Sequence, residues 1–212
     1  LNKKVVIIRT GTANLASVMA GFARLEATTE LSVDPRTVEQ AEYLVLPGVG
    51  AFGAAMAELR AHGLVDPLVR RFKAGRPSLA VCLGMQLLAR QSEETPGESG
   101  LGVIDAHITR FPDSVRVPQF GWNMLEPQAA EHNSYLTEKG YVYFANSFRL
   151  SEPPAGWRVA LTDYAGPFVA AMERGGVLAC QFHPELSGAF GLELLGRWLM
   201  RSDDAAQEVA AC

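Results

Sequence analysis

Apolar and polar positions change their period several times along the chain. Lys4 to Ile8 (KVVII) is a short β-branched run that predicts a first strand, and behind a glycine-containing turn Leu15, Val18, Met19 and Phe22 recur at helical spacing. Tyr43 to Leu46 is unbroken apolar sequence ending at Pro47, as a buried strand does. Ala54 to Ala61 and Leu64 to Phe72 predict helices, the second with Pro67 near its first turn, where proline is tolerated. Leu79 to Val81 reads as another strand and Leu83 to Arg90 as the helix after it. Strands apolar on both faces and alternating with helices predict an α/β domain on a largely parallel sheet.

The pattern shifts after Arg90. Gln91 to Gly100 (QSEETPGESG) is polar and rich in turn formers, which predicts a surface loop. From Leu101 to Ala171 the runs LGVIDAHITRF, VPQFGWNML, YVYFANSF and PFVAAM have strand character, several of them antiparallel. Val177 to Phe182 is a last apolar strand and Leu186 to Met200 a closing amphipathic helix, with a frayed Asp/Ala-rich tail from 201 to 212. Neither an internal repeat nor a linker interrupts the pattern, so residues 1–200 are expected to form one domain.

Composition narrows the class without naming it. The 212 residues are 48% hydrophobic and 20% charged, an ordinary globular balance with a core of useful size. A net charge of −4 gives no electrostatic reason to expect nucleic acid, and no apolar run approaches the roughly 18 residues of a membrane span. The opening LNKKVVIIRT is too short in its apolar part for a signal peptide. Three cysteines without a CxxC argue against a disulfide framework or a zinc site and for a reduced, cytoplasmic protein.

In SLAVCLGMQLL, one cysteine and one glutamine interrupt an apolar run. Cys82 is either a small core residue, as thiols often are, or a nucleophile on a strand-to-helix turn with Ala80 and Gly84 flanking it. Strand carboxyl ends are where parallel α/β sheets bind ligands, and a helix N-terminus behind Cys82 favours the thiolate, with the Leu83 N–H aimed at a developing oxyanion. Of the four histidines, His62, His107 and His132 have surface settings; His183 directly follows the strand VLACQF, with Glu185 two residues on. Alone, H-P-E is an exposed turn; beside a strand-end cysteine it is a candidate Cys-His-Glu triad. LPGVGAFG lacks the spacing of a phosphate loop, so Gly48, Val49 and Gly50 form either a tight turn or a close backbone approach to a carbonyl substrate. Cys180 reads as core and Cys212 as a tail thiol.

Taken in order, LPGVGAFG, CLGMQLL, GWN, YFANSF and QFHPE resemble the class I (triad) glutamine amidotransferases from about Val5 to Trp198. LPGVGAFG followed by VPQFGWN, with the early TGTANLASV, is similar to the histidine-biosynthesis branch, whose members are glutaminase subunits of imidazole glycerol phosphate synthases. The resemblance implies a flavodoxin-like three-layer α/β sandwich with a mostly parallel central sheet plus an antiparallel extension. It implies that Cys82 attacks the glutamine side-chain amide, His183 acts as base and then as acid, and Glu185 orients His183. Val49 and Leu83 would form the oxyanion hole, after the Gly48–Val49 peptide reorients, and Gly48, Gly50, Gln86, Ser147 and Phe148 would hold substrate. No metal or other cofactor is implied. Ammonia would pass to a (β/α)8 barrel synthase subunit faced by Asn14, Gln119 and Trp122, although Trp122 is equally readable as a core aromatic.

Four positions depart from the commoner family pattern: Arg9, Gln119, Asn146 and Leu186. They bear on docking and leave the proposed triad intact. A non-catalytic relative, a stand-alone cysteine hydrolase and another class I glutaminase subunit remain as alternatives, the first opposed by the intact triad and the second by Gln86 and LPGVGAFG.

Overall fold

The computed structural model describes residues 3–9, 14–128 and 134–210, with side chains to Met200. The first half runs β1 (Lys4–Ile8), α1 (Leu15–Ala23), β2 (Thr28–Ser32), α2 (Pro35–Gln40), β3 (Tyr43–Leu46), α3 (Phe52–Ala61), α4 (Val65–Lys73), β4 (Ser78–Val81) and α5 (Leu83–Gln86). The second half adds β5 (Gln91–Ser92), β6 (His107–Arg110), β7 (Gln119–Pro127), β8 (Gly140–Asn146), β9 (Phe148–Leu150), β10 (Arg158–Asp163), β11 (Pro167–Arg174) and β12 (Val177–Cys180). A 3-10 turn (Pro184–Leu186) then leads into α6 (Gly188–Ala210), which continues past the expected end at Met200.

Nine strands form one sheet in the order β2-β1-β3-β4-β12-β11-β10-β7-β8. The five from β2 to β12 are parallel in flavodoxin-like order, and the four beyond are antiparallel, which is the expected extension. β3, β4 and β12 are buried on both faces because helices cover both. On one side Val6, Leu44, Ala80 and Ala179 pack against Phe52 and Met56 of α3 and Leu68 and Phe72 of α4. On the other, Val5, Val45, Val81 and Cys180 meet Phe22 of α1 and Leu195 and Trp198 of α6. Those two apolar layers make the three-layer sandwich. A smaller sheet, β5-β6-β9, flanks it. No described helix is long and apolar enough to cross a membrane.

Sequence periodicity does not register β2 and α2. β2 (TTELS) is an edge strand with no fully buried position, so it carries no apolar signal. α2 is a six-residue helix held by its start: Asp34 accepts from Thr37 N–H at 2.9 Å, and Pro35 opens the first turn.

The end of the sheet remote from the strand carboxyl termini is fastened by a buried cation. The guanidinium of Arg71 donates to the carbonyls of Ala41 (2.6 Å), Glu42 (3.0 Å) and Pro77 (2.6 Å) and to Ser78 Oγ (2.9 Å), joining α4 to the starts of β3 and β4. Replacing it orphans several buried acceptors at once. Arg71→Met is expected to lower stability by about 3 kcal/mol, from the desolvation cost of unpaired buried carbonyls. Urea unfolding followed by circular dichroism measures it, and a loss within experimental error would show that these bonds contribute nothing net.

Candidate active site

β4 and β12 are parallel neighbours, with Cys180 opposite Val81, so the residues after them emerge side by side. Cys82 takes φ 53° and ψ −111°, a left-handed backbone that costs a side-chain-bearing residue about 1–3 kcal/mol. Its N–H donates to Cys180 O at 2.7 Å, and its carbonyl accepts from Met85 N–H at 3.0 Å, which holds the strained turn from both sides. Gly84 serves this turn through close approach, since a Cβ there would lie 2.0 Å from Leu46 O. Its φ is not in the left-handed region; the residue with that need is Cys82.

α5 is a single turn and stops at Gln86, short of the expected Arg90. The carbonyls of Leu87, Leu88 and Ala89 accept instead from the backbone N–H groups of Leu101, Gly102, Val103 and Ile104, so the chain that follows takes the acceptors a longer helix needs. A one-turn helix gives the thiolate little dipole support. The Leu83 N–H, expected to face an oxyanion, donates to Gly48 O at 3.3 Å. The N–H expected to serve an oxyanion is therefore engaged within the chain.

His183 follows β12, and its Nδ1 meets Glu185 Oε1 at 2.9 Å. Burial alone lowers the imidazole pKa, but its hydrogen bonds to Cys82 and Glu185, and their charges, outweigh that and raise it to about 10. Its two side-chain partners thus favour the protonated ring over the neutral one. Glu185 is buried with it, under α1, where a Cβ on Gly21 would sit 3.3 Å from Glu185 Cβ. The loop is fixed to β8 through both polar groups of one residue. His183 N–H donates to Tyr143 O (3.0 Å), Tyr143 N–H donates to Ser187 Oγ (3.0 Å), and Ser187 Oγ donates to His183 O (2.6 Å).

A cavity of about 140 Å³ opens on Cys82, a size for an amino acid rather than a larger ligand. Val49, Gly50, Leu83, Gln86, Ser147 and Phe148 line it; Gly48 does not, its carbonyl being turned to Leu83. Glu94 lines it as well and is its one acidic side chain. The loop 91–100 is therefore no mere surface loop: Glu94 Oε2 accepts from Phe52 N–H (2.6 Å) and Thr95 Oγ1 from Gly53 N–H (3.1 Å), capping α3, whose N-cap Ala51 has no capping side chain. No periodicity or motif marks Glu94 in the sequence.

The three residues expected at a partner face are placed differently from one another. Asn14 caps α1, accepting from Ser17 N–H at 3.3 Å, and is exposed; Thr10 to Ala13 and His132 lie outside the described residues. Trp122 is half exposed, packed edge-on against Tyr143 at 5.9 Å, and is no core aromatic. Gln119 points inward and is buried, because β7 alternates and it shares the face of Leu125; its neighbour Phe120 is the exposed one, at 63%. Asn146, opposite Gln119 in the ladder, is buried at the cavity wall. His62 and His107 are exposed, and Cys180 is core.

Residues 12–200 match the family model described as glutamine amidotransferase class-I. The chain belongs to this family. This amidotransferase is 39% identical over 197 residues to the imidazole glycerol phosphate synthase subunit HisH of Symbiobacterium thermophilum, covering 92% of each chain. It is 42% identical over 193 residues to the subunit of that name from Methanothermobacter thermautotrophicus, covering 90% of this chain and 95% of the relative. Among solved structures, a glutamine amidotransferase superposes with a TM-score of 0.74 at 21% identity, over 93% of this chain and 98% of that one. Another, from Thermotoga maritima, gives 0.61 at 18% identity over 99% and 86%. These two likenesses speak for the fold.

The His183 geometry has a measurable consequence. A raised imidazole pKa stabilises the fold fully below the unfolded value of 6.5, and that contribution is lost as the pH climbs through about 10. Glu185→Gln is expected to lower the His183 midpoint and to narrow its stability deficit against the parent as the pH rises over that interval. Imidazole ¹⁵N titration and urea unfolding read the two effects; an unmoved midpoint would remove Glu185 from the pair.

Proposed function

We propose that this amidotransferase hydrolyses L-glutamine through Cys82, His183 and Glu185, as the glutaminase subunit of an imidazole glycerol phosphate synthase in histidine biosynthesis. The observation that carries the reading is the buried His183–Glu185 pair, 2.9 Å apart, at the strand end beside a strained cysteine on a cavity wall. The Cys82 thiolate attacks the side-chain amide carbon; as the tetrahedral intermediate collapses, His183 gives its proton to the departing nitrogen and ammonia leaves. His183, now neutral, takes a proton from the water that attacks the γ-glutamyl thioester; glutamate leaves, and the Cys82 thiolate and protonated His183 are regained. Glu185 keeps the ring oriented with Nδ1–H towards it throughout. Glu94, which also lines the cavity, is the partner for the substrate's α-ammonium, and Gln86, Gly50, Ser147 and Phe148 shape the walls. The carbonyl of Phe148 already accepts from Gln86 and Asn146, and that of Ser147 from Phe111.

The closed oxyanion position supports a resting state that docking opens. Turning the Gly48–Val49 peptide takes the Gly48 carbonyl off Leu83 and brings the Val49 N–H round, giving two donors for the oxyanion. Gly48 has no Cβ to oppose this turn; one built there would lie 2.9 Å from Leu83 Cβ. The exposed side chains Phe120, Trp122 and Tyr141 share one face of β7 and β8, at the outer edge of the sheet, with Leu186 just after the triad also exposed. That apolar face suits a (β/α)8 barrel synthase subunit that accepts ammonia before water protonates it. Asn14, exposed at the start of α1, belongs to the same docking proposal. A cytoplasmic setting keeps Cys82 reduced.

The test is a glutaminase assay on the purified chain, with and without the barrel subunit and its nucleotide ligand. Activity is expected to be low alone and to rise at least about tenfold in the complex, the gain of two oxyanion donors. Cys82→Ala is expected to abolish it while keeping fold and complex formation. Turnover by Cys82→Ala would overturn the nucleophile, and full activity without the partner would overturn the assignment to a synthase subunit.

A further inference from the structure

Gln181 stands out against the hydrophobic pattern. It follows β12, whose positions Val177 and Ala179 on the same face belong to an apolar cluster, and it is 0% exposed. A buried primary amide is costly unless its donor and acceptor both find partners. Its Oε1 accepts from Gln86 Nε2 at 2.9 Å, and its Nε2 donates to Cys82 Sγ at 3.7 Å.

The direction of this chain follows from chemistry. Phe148 O lies 3.0 Å from the Gln86 amide and, as a carbonyl, can only accept, so Gln86 must turn its Nε2 that way. The same Nε2 then meets Gln181, which must answer with Oε1. Gln181 is left with only its Nε2 for the sulfur. Gln86 in turn keeps its Oε1 for the cavity it lines.

We propose that Gln181 is a positioning residue that ties the substrate-holding amide of Gln86 to the nucleophile Cys82. The Gln181 amide N–H gives Sγ a fixed donor beside its hydrogen bond with the His183 ring, and so restrains the direction of the sulfur. An N–H donor also favours thiolate over thiol. That role falls to Gln181 because α5 is a single turn and the Leu83 N–H is engaged by Gly48 O. A ligand that displaces Gln86 moves the donor that holds the Gln181 carbonyl oxygen, so occupancy of the cavity is felt at the sulfur. The turnover arm of the test rests on the glutaminase reading above; the alkylation arm does not.

The experiment follows iodoacetamide alkylation of the Cys82 peptide by mass spectrometry against pH, in the parent chain, Gln181→Met and Gln86→Leu. Gln181→Met keeps the side-chain length and removes the donor. Its alkylation at neutral pH is expected to slow about tenfold, the worth of a hydrogen bond to a charged group, and its pH profile to move upward. kcat is expected to fall about tenfold with KM changed less than about threefold, a split that a general loosening of the fold does not produce. Gln86→Leu, which does not touch the sulfur, is expected to slow alkylation in the same direction. A Gln181→Met profile that overlays the parent overturns the proposal. Should that variant not fold, the parent decides: the Gln181 side-chain amide resonances are expected to shift with the pH midpoint of Cys82 alkylation, and their indifference overturns it. If alkylation depends on Gln181 while the parent and its complex leave glutamine intact, the glutaminase reading fails and this one stands.

Discussion

Everything at this site depends on one backbone constraint, the left-handed turn at Cys82. It ends β4 abruptly, throws the sulfur onto the cavity wall, and sends the chain back over Leu46 so closely that only glycine fits at 84. Such strain persists where the surroundings over-determine it. Here the hydrogen bond from Cys82 N–H to Cys180 O extends the β4–β12 register by one residue, and so fixes both strand ends together. Gln181 and His183 then arrive beside the sulfur because β12 runs parallel to β4. A one-residue slip between these strands would exchange Gln181 for its neighbours and face the amide away.

The bond from Leu83 N–H to Gly48 O holds the turn beside Cys82, and β8 is tied to the loop that carries His183 and Glu185. Tyr143 is bound through its N–H to Ser187 and through its C=O to His183, on the strand that also carries Tyr141. Movement of this edge strand reaches the histidine loop through one backbone hydrogen bond, to His183, and one to the short, buried Ser187 side chain.

Much of this was legible in the sequence where burial is two-sided or chemistry is local. KVVII, YLVL, SLAV and VLAC announce themselves as strands because both faces are covered, and Cys82, His183 and Glu185 fall where strand ends place them. β2 was silent because an edge strand of TTELS has no apolar face. The helix after Cys82 looked longer than it is because LGMQLLAR has helical composition; the competing donors come from Leu101 to Ile104, out of reach of any local pattern. Glu94 and Gln181 were missed for a related reason. Their roles rest on contacts with Phe52, Gln86 and Cys82 that only the fold assembles. For Gln119, the alternation of β7 decides the matter: it shares the inward parity of Leu125, while Phe120 and Trp122 face out.

The account stands most directly on the identity of the atom that carries the glutamyl group. Acid quenching of the complex during glutamine turnover, followed by peptide mass spectrometry, traps the acyl-enzyme at its point of attachment. The predicted result is a γ-glutamyl thioester on the Cys82 peptide, lost in Cys82→Ala. Turnover with no adduct at Cys82, or with the adduct on another residue, would contradict it.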